Sequence, residues 1–78
     1  QAASDVYKRQ QLAYAADALQ KLGALYRSND RLDAAIRVYD FLIGVEQQAY
    51  NLYGVMNAYD QLGQIYLSRQ AYPQALTA

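Results

Sequence analysis

The sequence contains neither cysteine nor histidine, and these two absences exclude several kinds of site. Without cysteine, the chain forms no disulfide bond and offers no thiolate nucleophile. Without histidine, it lacks the commonest acid–base group near neutral pH and the commonest zinc ligand. The carboxylates are scattered along the chain, and the four glycines are spread singly rather than gathered in a phosphate-binding loop. We therefore expect no catalysis, no cofactor and no metal.

An excess of charge of one sign is also missing, because seven basic and seven acidic side chains give a formal net charge of zero. Binding of nucleic acid through its phosphates needs a cationic surface. No run of about 18 apolar residues is long enough to cross a membrane, and no basic-then-apolar leader opens the sequence. We therefore expect neither a nucleic acid nor a membrane as partner, and a cytoplasmic location. With 54% hydrophobic residues, the chain should fold.

The first ten residues differ in character from the rest. Residues 2–10 read AASDVYKRQ, which resembles the translation of a transposase-type sequencing adapter. We interpret residues 1–10 as a non-native segment and exclude them from functional argument. Five basic and six acidic side chains then remain, a formal charge of −1. On this interpretation the sequence is a metagenomic fragment, and the natural N-terminus lies further upstream.

A five-residue pattern occurs twice in the chain. Leu22-Gly23-Ala24-Leu25-Tyr26 returns as Leu62-Gly63-Gln64-Ile65-Tyr66, which sets a period of 40. The apolar or small positions around the first copy follow helical spacing, and each has a counterpart one period later. They are Leu12, Ala15, Ala16, Leu19, Leu22, Gly23 and Tyr26, followed by Leu52, Val55, Met56, Tyr59, Leu62, Gly63 and Tyr66. A fixed period of this length is typical of helical repeat proteins.

The repeat divides the chain into two units, each built as a helical hairpin. Repeat 1 covers residues 11–50, with helices predicted at about 11–27 and 31–48. Repeat 2 covers residues 51–78, with helices predicted at about 51–67 and 72–78, the second one truncated. Ser28-Asn29-Asp30 is a turn cluster between the first two helices. Pro73 suits the first turn of a fourth helix.

Small residues in these helices predict where two helices approach closely. A glycine inside a helix is unfavourable by itself, so we expect Gly23 and Gly63 to admit a neighbouring helix. An alanine on the second helix of each pair provides the small residue on the other side of this contact. The tyrosine one turn after the glycine fills the wider gap between the two helices. The residues assigned to this packing are Leu22, Gly23, Tyr26, Ala35, Leu62, Gly63, Tyr66 and Ala75.

The Leu-Gly-x-x-Tyr pair, followed by Ala35 and Tyr39 and then by Pro73 and Ala75, resembles the tetratricopeptide repeat. The resemblance covers about residues 11–78. It implies an all-α fold of antiparallel helical hairpins stacked as an α-solenoid, with about two repeats. The period of 40 departs from the family's usual 34 and resembles the longer-helix variety of bacterial signalling and scaffold proteins.

The resemblance also implies a function in protein–protein interaction. In such proteins the first helix of each pair lines a concave groove that holds a peptide or a partner helix. Carried over, this groove has eight residues: Asp17, Gln20, Ala24, Arg27, Asn57, Asp60, Gln64 and Leu67. The lysines and asparagines with which some members clamp a carboxylate are missing, so we expect no binding of acidic peptide C-termini. Two further possibilities stay open: a regulatory or sensor domain of a larger bacterial signalling protein, and self-association through uncapped repeat ends.

Overall fold

The computed structural model describes the backbone of residues 2–77 and the side chains of residues 4–70. The described chain consists of three helices: α1 (Ala2–Ser28), α2 (Leu32–Gln48) and α3 (Leu52–Thr77). This confirms the prediction of an all-α chain. The central helix α2 packs against α1 and against α3. The core therefore forms around α2, and the outer helices contribute one face each.

The two turns between the helices have the same hydrogen-bonded form. In the first turn, the Arg31 N–H donates to the Tyr26 carbonyl at 2.8 Å, and the Asp30 N–H donates to the Arg27 carbonyl at 3.0 Å. The second turn repeats this pair of bonds from Asn51 and Tyr50. Both are Schellman turns, in which the residue after the helix takes a left-handed conformation. Asp30 (φ 62°) and Tyr50 (φ 55°) hold these positions.

A third turn, expected at about residues 68–71, is absent, because α3 is one helix from Leu52 to Thr77. The predicted separate helices at 51–67 and 72–78 are therefore wrong as helix bounds. The cause is local: the counterparts of Asn29 and Asp30 are Arg69 and Gln70. Asparagine and aspartate tolerate the left-handed conformation that such a turn needs, whereas arginine and glutamine favour a continuing helix.

The first helix also begins earlier than the predicted residue 11. It runs from Ala2, so the adapter-like segment and the repeat sequence form one uninterrupted helix. All described side chains of that segment, residues 4–10, are exposed. The segment therefore adds helix length without adding to the core.

The core consists mainly of aliphatic side chains on α2 and on the helix faces that meet it. Ala35 and Leu42 of α2 and Ala58 and Ile65 of α3 are fully buried. Leu12, Leu19, Tyr26, Leu32 and Val55 are partly buried and pack against this cluster. Burying a large aliphatic side chain contributes about 1.5–3 kcal/mol, so this cluster stabilises the fold.

The packing of α1 follows the predicted stripe, whereas the packing of α3 does not. In α3 the buried positions are Gly54, Ala58, Leu62 and Ile65. Most of the predicted stripe, including Gly63 and Tyr66, is exposed. The reason is that α3 meets α2 through the face that carries Gly54, Ala58, Leu62 and Ile65.

The two motif glycines consequently have different surroundings. A Cβ atom at Gly23 would lie 2.8 Å from Cζ of Tyr39, so the Tyr39 ring packs directly on the glycine backbone. A Cβ atom at Gly63 would meet nothing within 4 Å. The expected close approach at Gly63 is therefore not present. Of the other packing residues, Ala35 and Leu62 are buried, Tyr26 is half-buried, Leu22 is exposed, and Ala75 lies outside the described side chains.

The buried phenol of Tyr39 predicts a loss of stability at alkaline pH. Burial raises the pKa of Tyr39 above its usual value of 10.0, against a smaller opposing effect of the Arg27 charge. The unfolded chain therefore ionises first, so stability is complete below pH 10 and falls as the pH rises through the folded-state pKa. Between pH 9 and pH 11, urea unfolding should show a smaller loss for Tyr39→Phe than for the unmodified chain. The exposed Tyr53→Phe is the control, and equal losses in all three proteins would contradict this expectation.

Candidate interaction surfaces

One face of α3 is apolar and has no partner in the described part of the chain. Its large side chains are Leu52, Met56, Tyr59 and Tyr66, which are 74%, 66%, 56% and 46% exposed. Together with Gly63 they form a continuous line along the helix, which we call the open stripe. Their counterparts in α1, one period earlier, include Ala16 in the core and Leu12, Leu19 and Tyr26 packed against it. The open stripe is therefore the same helix face that α2 covers in α1.

A second surface lies where a side chain near the end of α1 reaches α3. Arg27 donates from one guanidinium nitrogen to Oε1 of Gln64 at 2.8 Å and from the other to Oε1 of Gln61. Gln64 in turn donates to Oδ2 of Asp60 at 2.9 Å. These bonds bring together three residues predicted for the concave groove and add Gln61, which the prediction missed. We call the surface made by Arg27, Asp60, Gln61 and Gln64 the polar groove.

The other predicted groove residues do not join this network. Asp17 forms an exposed ion pair with Lys21 on its own helix, with Nζ and Oδ2 at 3.0 Å. Ala24, Asn57 and Leu67 are exposed. Exposed polar side chains of this kind are ordinary on a helix surface. Apart from Gln20, which donates to Glu46, the predicted groove residues therefore divide into a hydrogen-bonded group around Arg27 and a set of exposed residues.

A buried carboxylate lies between the two outer helices near the end of α2. Glu46 is 2% exposed. Its Oε2 accepts a bond from Nε2 of Gln20 at 3.4 Å, and its Oε1 accepts one from Nδ2 of Asn51 at 3.2 Å. Asn51 also accepts the Gly54 N–H at 3.3 Å, which caps the first turn of α3. Glu46 therefore links α1 to the α2–α3 turn.

Glu46 is not among the site residues predicted from the sequence, although its spacing offered a signal. Glu46 follows Leu42 by four residues and Ile43 by three, which places it on the apolar face of α2. Gly54 provides the room, because a Cβ atom there would overlap the Glu46 carboxyl group. A charged residue on an apolar helix face, with a glycine a few residues into the next helix, indicates a buried polar contact.

The titratable side chains of the described residues are mostly dispersed. No group of three or more acidic side chains that could hold a metal ion is present among them. Among the described residues, Tyr39 has a clearly shifted pKa, and its side chain packs in the core rather than in a cleft. None of the described helices is both long and apolar enough to cross a membrane. The chemistry on these surfaces is that of hydrogen bonding and apolar contact.

Comparisons with known proteins add no assignment. No protein-family model matches the chain, and searches of curated proteins and of solved structures found no similar protein.

Proposed function

We propose that the chain is a protein–protein interaction module without catalytic activity, and that its partner is an amphipathic helix. The observation that carries this proposal is the open stripe, which leaves four large apolar side chains exposed along one helix face. A contiguous apolar surface of this kind is typical of interaction sites. The polar groove beside it supplies hydrogen-bonding groups for a peptide.

The repeat itself identifies the kind of helix that fits the open stripe. On α1, the equivalent face is covered by α2, which places Tyr39 on Gly23 and the small Ala35 nearby in the core. A partner with the same pattern can place an aromatic ring on Gly63, where the space is free. We therefore propose a TPR-like arrangement, in which α1 and α2 form one hairpin and α3 is the first helix of the next.

A synthetic α2 peptide tests this proposal directly. The ¹⁵N-labelled chain is titrated with a peptide of residues 31–49, and amide shifts are followed by NMR. We expect saturable shifts confined to the open stripe, because the peptide carries the face that covers the equivalent residues of α1. In a matched control peptide, Tyr39→Ser removes the ring that would lie on Gly63, and binding should weaken by about tenfold or more.

The variant Met56→Lys provides the complementary control on the chain. A lysine in the middle of the open stripe should abolish the shifts, whereas Phe41→Lys, an exposed apolar residue on α2, should not. Dimerisation of the chain without peptide binding would identify a second copy as the occupant and contradict the proposed partner. Shifts spread over the polar groove instead would contradict the assignment of the site.

A further inference from the structure

The charge of Glu46 is not balanced within the described part of the chain. Its carboxylate is buried, yet both hydrogen-bond donors that reach it, Gln20 and Asn51, are neutral amides. The ion pairs among the described side chains are Asp17 with Lys21 and Asp33 with Arg69, so no cation pairs with Glu46 there. A buried carboxylate without a cation carries a large desolvation cost. A cation supplied from outside would offset that cost.

The surroundings of Glu46 leave room for such a cation. An open cleft of about 260 Å³ lies between α1 and the end of α2. It is lined by Arg9, Ala13, Ala16, Asp17, Gln20, Glu46, Ala49 and Asn51. A carboxylate offers about four lone-pair positions, and the two amides use one on each oxygen. These two amides therefore do not saturate the carboxylate.

We propose that this cleft binds an arginine side chain of a partner peptide. The guanidinium carries five N–H donors and is more weakly hydrated than an ammonium, so it can pair with the Glu46 carboxylate where this borders the cleft. The small side chains of Ala13 and Ala16 form a wall against which the aliphatic stem of an arginine can pack. This inference rests on the proposed interaction function and names one chemical feature of the peptide.

Two other occupants fit the cleft less well. A divalent metal ion such as Ca²⁺ takes about six to eight oxygen ligands. The cleft supplies two carboxylates, and that of Asp17 is paired with Lys21. A lysine ammonium is a compact, strongly hydrated charge, and its removal from water is less favourable than that of a guanidinium. The chain's own Arg9 also lines the cleft and lies in the segment that resembles an adapter sequence. Its effect on arginine binding is therefore measured separately, with the variant Arg9→Gln.

The test uses a probe with a single guanidinium group. Nα-acetyl-arginine amide is titrated into the ¹⁵N-labelled chain, and the side-chain NH₂ signals of Gln20 and Asn51 report on the cleft. We expect these signals to shift and to saturate. Nα-acetyl-citrulline amide has nearly the same shape without the charge and should produce no saturable shift. Glu46→Gln should weaken arginine binding by about tenfold, whereas Asp40→Asn, which removes an exposed carboxylate of α2, should leave it unchanged.

Several outcomes would overturn the inference. Equal shifts with the arginine and citrulline probes would show that charge is not recognised. Unchanged arginine binding by Glu46→Gln would assign Glu46 a purely structural function in holding Asn51. Weaker binding by Arg9→Gln would also contradict it, because removal of a cation from the cleft should favour the probe. If Glu46→Gln does not fold, the comparison of the arginine and citrulline probes on the unmodified chain decides whether the cleft recognises the positive charge. All these results are independent of peptide binding to the open stripe, so the two proposals fail separately.

Discussion

Replacing Gly23 with leucine should lower the free energy of unfolding by about 1–3 kcal/mol or more. The Tyr39 ring occupies the space that the new side chain needs, and Tyr39 is itself buried in the core. Either the ring leaves its position or α1 and α2 move apart, and both reduce the buried apolar area. Urea unfolding followed by circular dichroism measures the effect. Because domains of this size are only marginally stable, such a loss should shift the transition by a large fraction of its midpoint.

Gly63→Leu is the matched control, because it changes the same position in the second copy of the motif. Nothing lies within 4 Å of a Cβ atom there, so no overpacking follows. The leucine should stabilise α3 slightly through its better helix propensity, which is worth up to about 1 kcal/mol relative to glycine. Equal destabilisation by the two variants would contradict the description of Gly63 as uncovered. An unchanged midpoint for Gly23→Leu would contradict the packing of Tyr39 on Gly23.

Replacing Ile65 with alanine should lower the free energy of unfolding by about 2–5 kcal/mol. Ile65 is fully buried where α3 meets α2, so the substitution leaves a cavity that the surrounding helices fill only in part. The loss should appear in the same urea unfolding measurement. In a small domain it can remove most of the folded population at physiological temperature.

Met56→Ala is the comparison on the same helix. Met56 is 66% exposed on the open stripe, so its truncation should change stability by no more than about 0.5 kcal/mol. The comparison of Ile65→Ala with Met56→Ala therefore shows which face of α3 packs against α2. A large loss for Met56→Ala with a small loss for Ile65→Ala would reverse that assignment and restore the stripe expected from sequence.

The features that could be predicted from sequence are those encoded by neighbouring residues. The helical spacing of Leu12, Leu19 and Tyr26 identified both α1 and its buried face. The first turn was predictable because Ser28-Asn29-Asp30 favours a turn, and Asp30 tolerates a positive φ. Tyr50 gives no such signal, since a tyrosine with φ 55° is held by the hydrogen bonds of the turn rather than by its own preference.

The features that could not be predicted depend on which helix is present to cover a face. Periodicity marks a face of α3 as apolar but does not say whether anything packs on it. Leu52 and Tyr59 have the same pattern as their counterparts in α1 and are nonetheless exposed. Glu46 was missed for the same reason, because its burial requires Gln20 from α1 and Asn51 from the turn. Long-range contacts of this kind produce only a weak pattern in a single sequence.

The central claim is that the open stripe is the counterpart of the face of α1 that α2 covers. A direct test replaces residues 69–78 with a second copy of residues 29–49, so that a turn and an α2 sequence follow α3. The free energy of unfolding should rise by at least about 1 kcal/mol, because burial of the stripe outweighs the ordering of the added helix. The same extension with Tyr39→Ser in the added copy should gain less. An extended chain no more stable than the original, with Tyr59 still solvent-exposed, would contradict the claim.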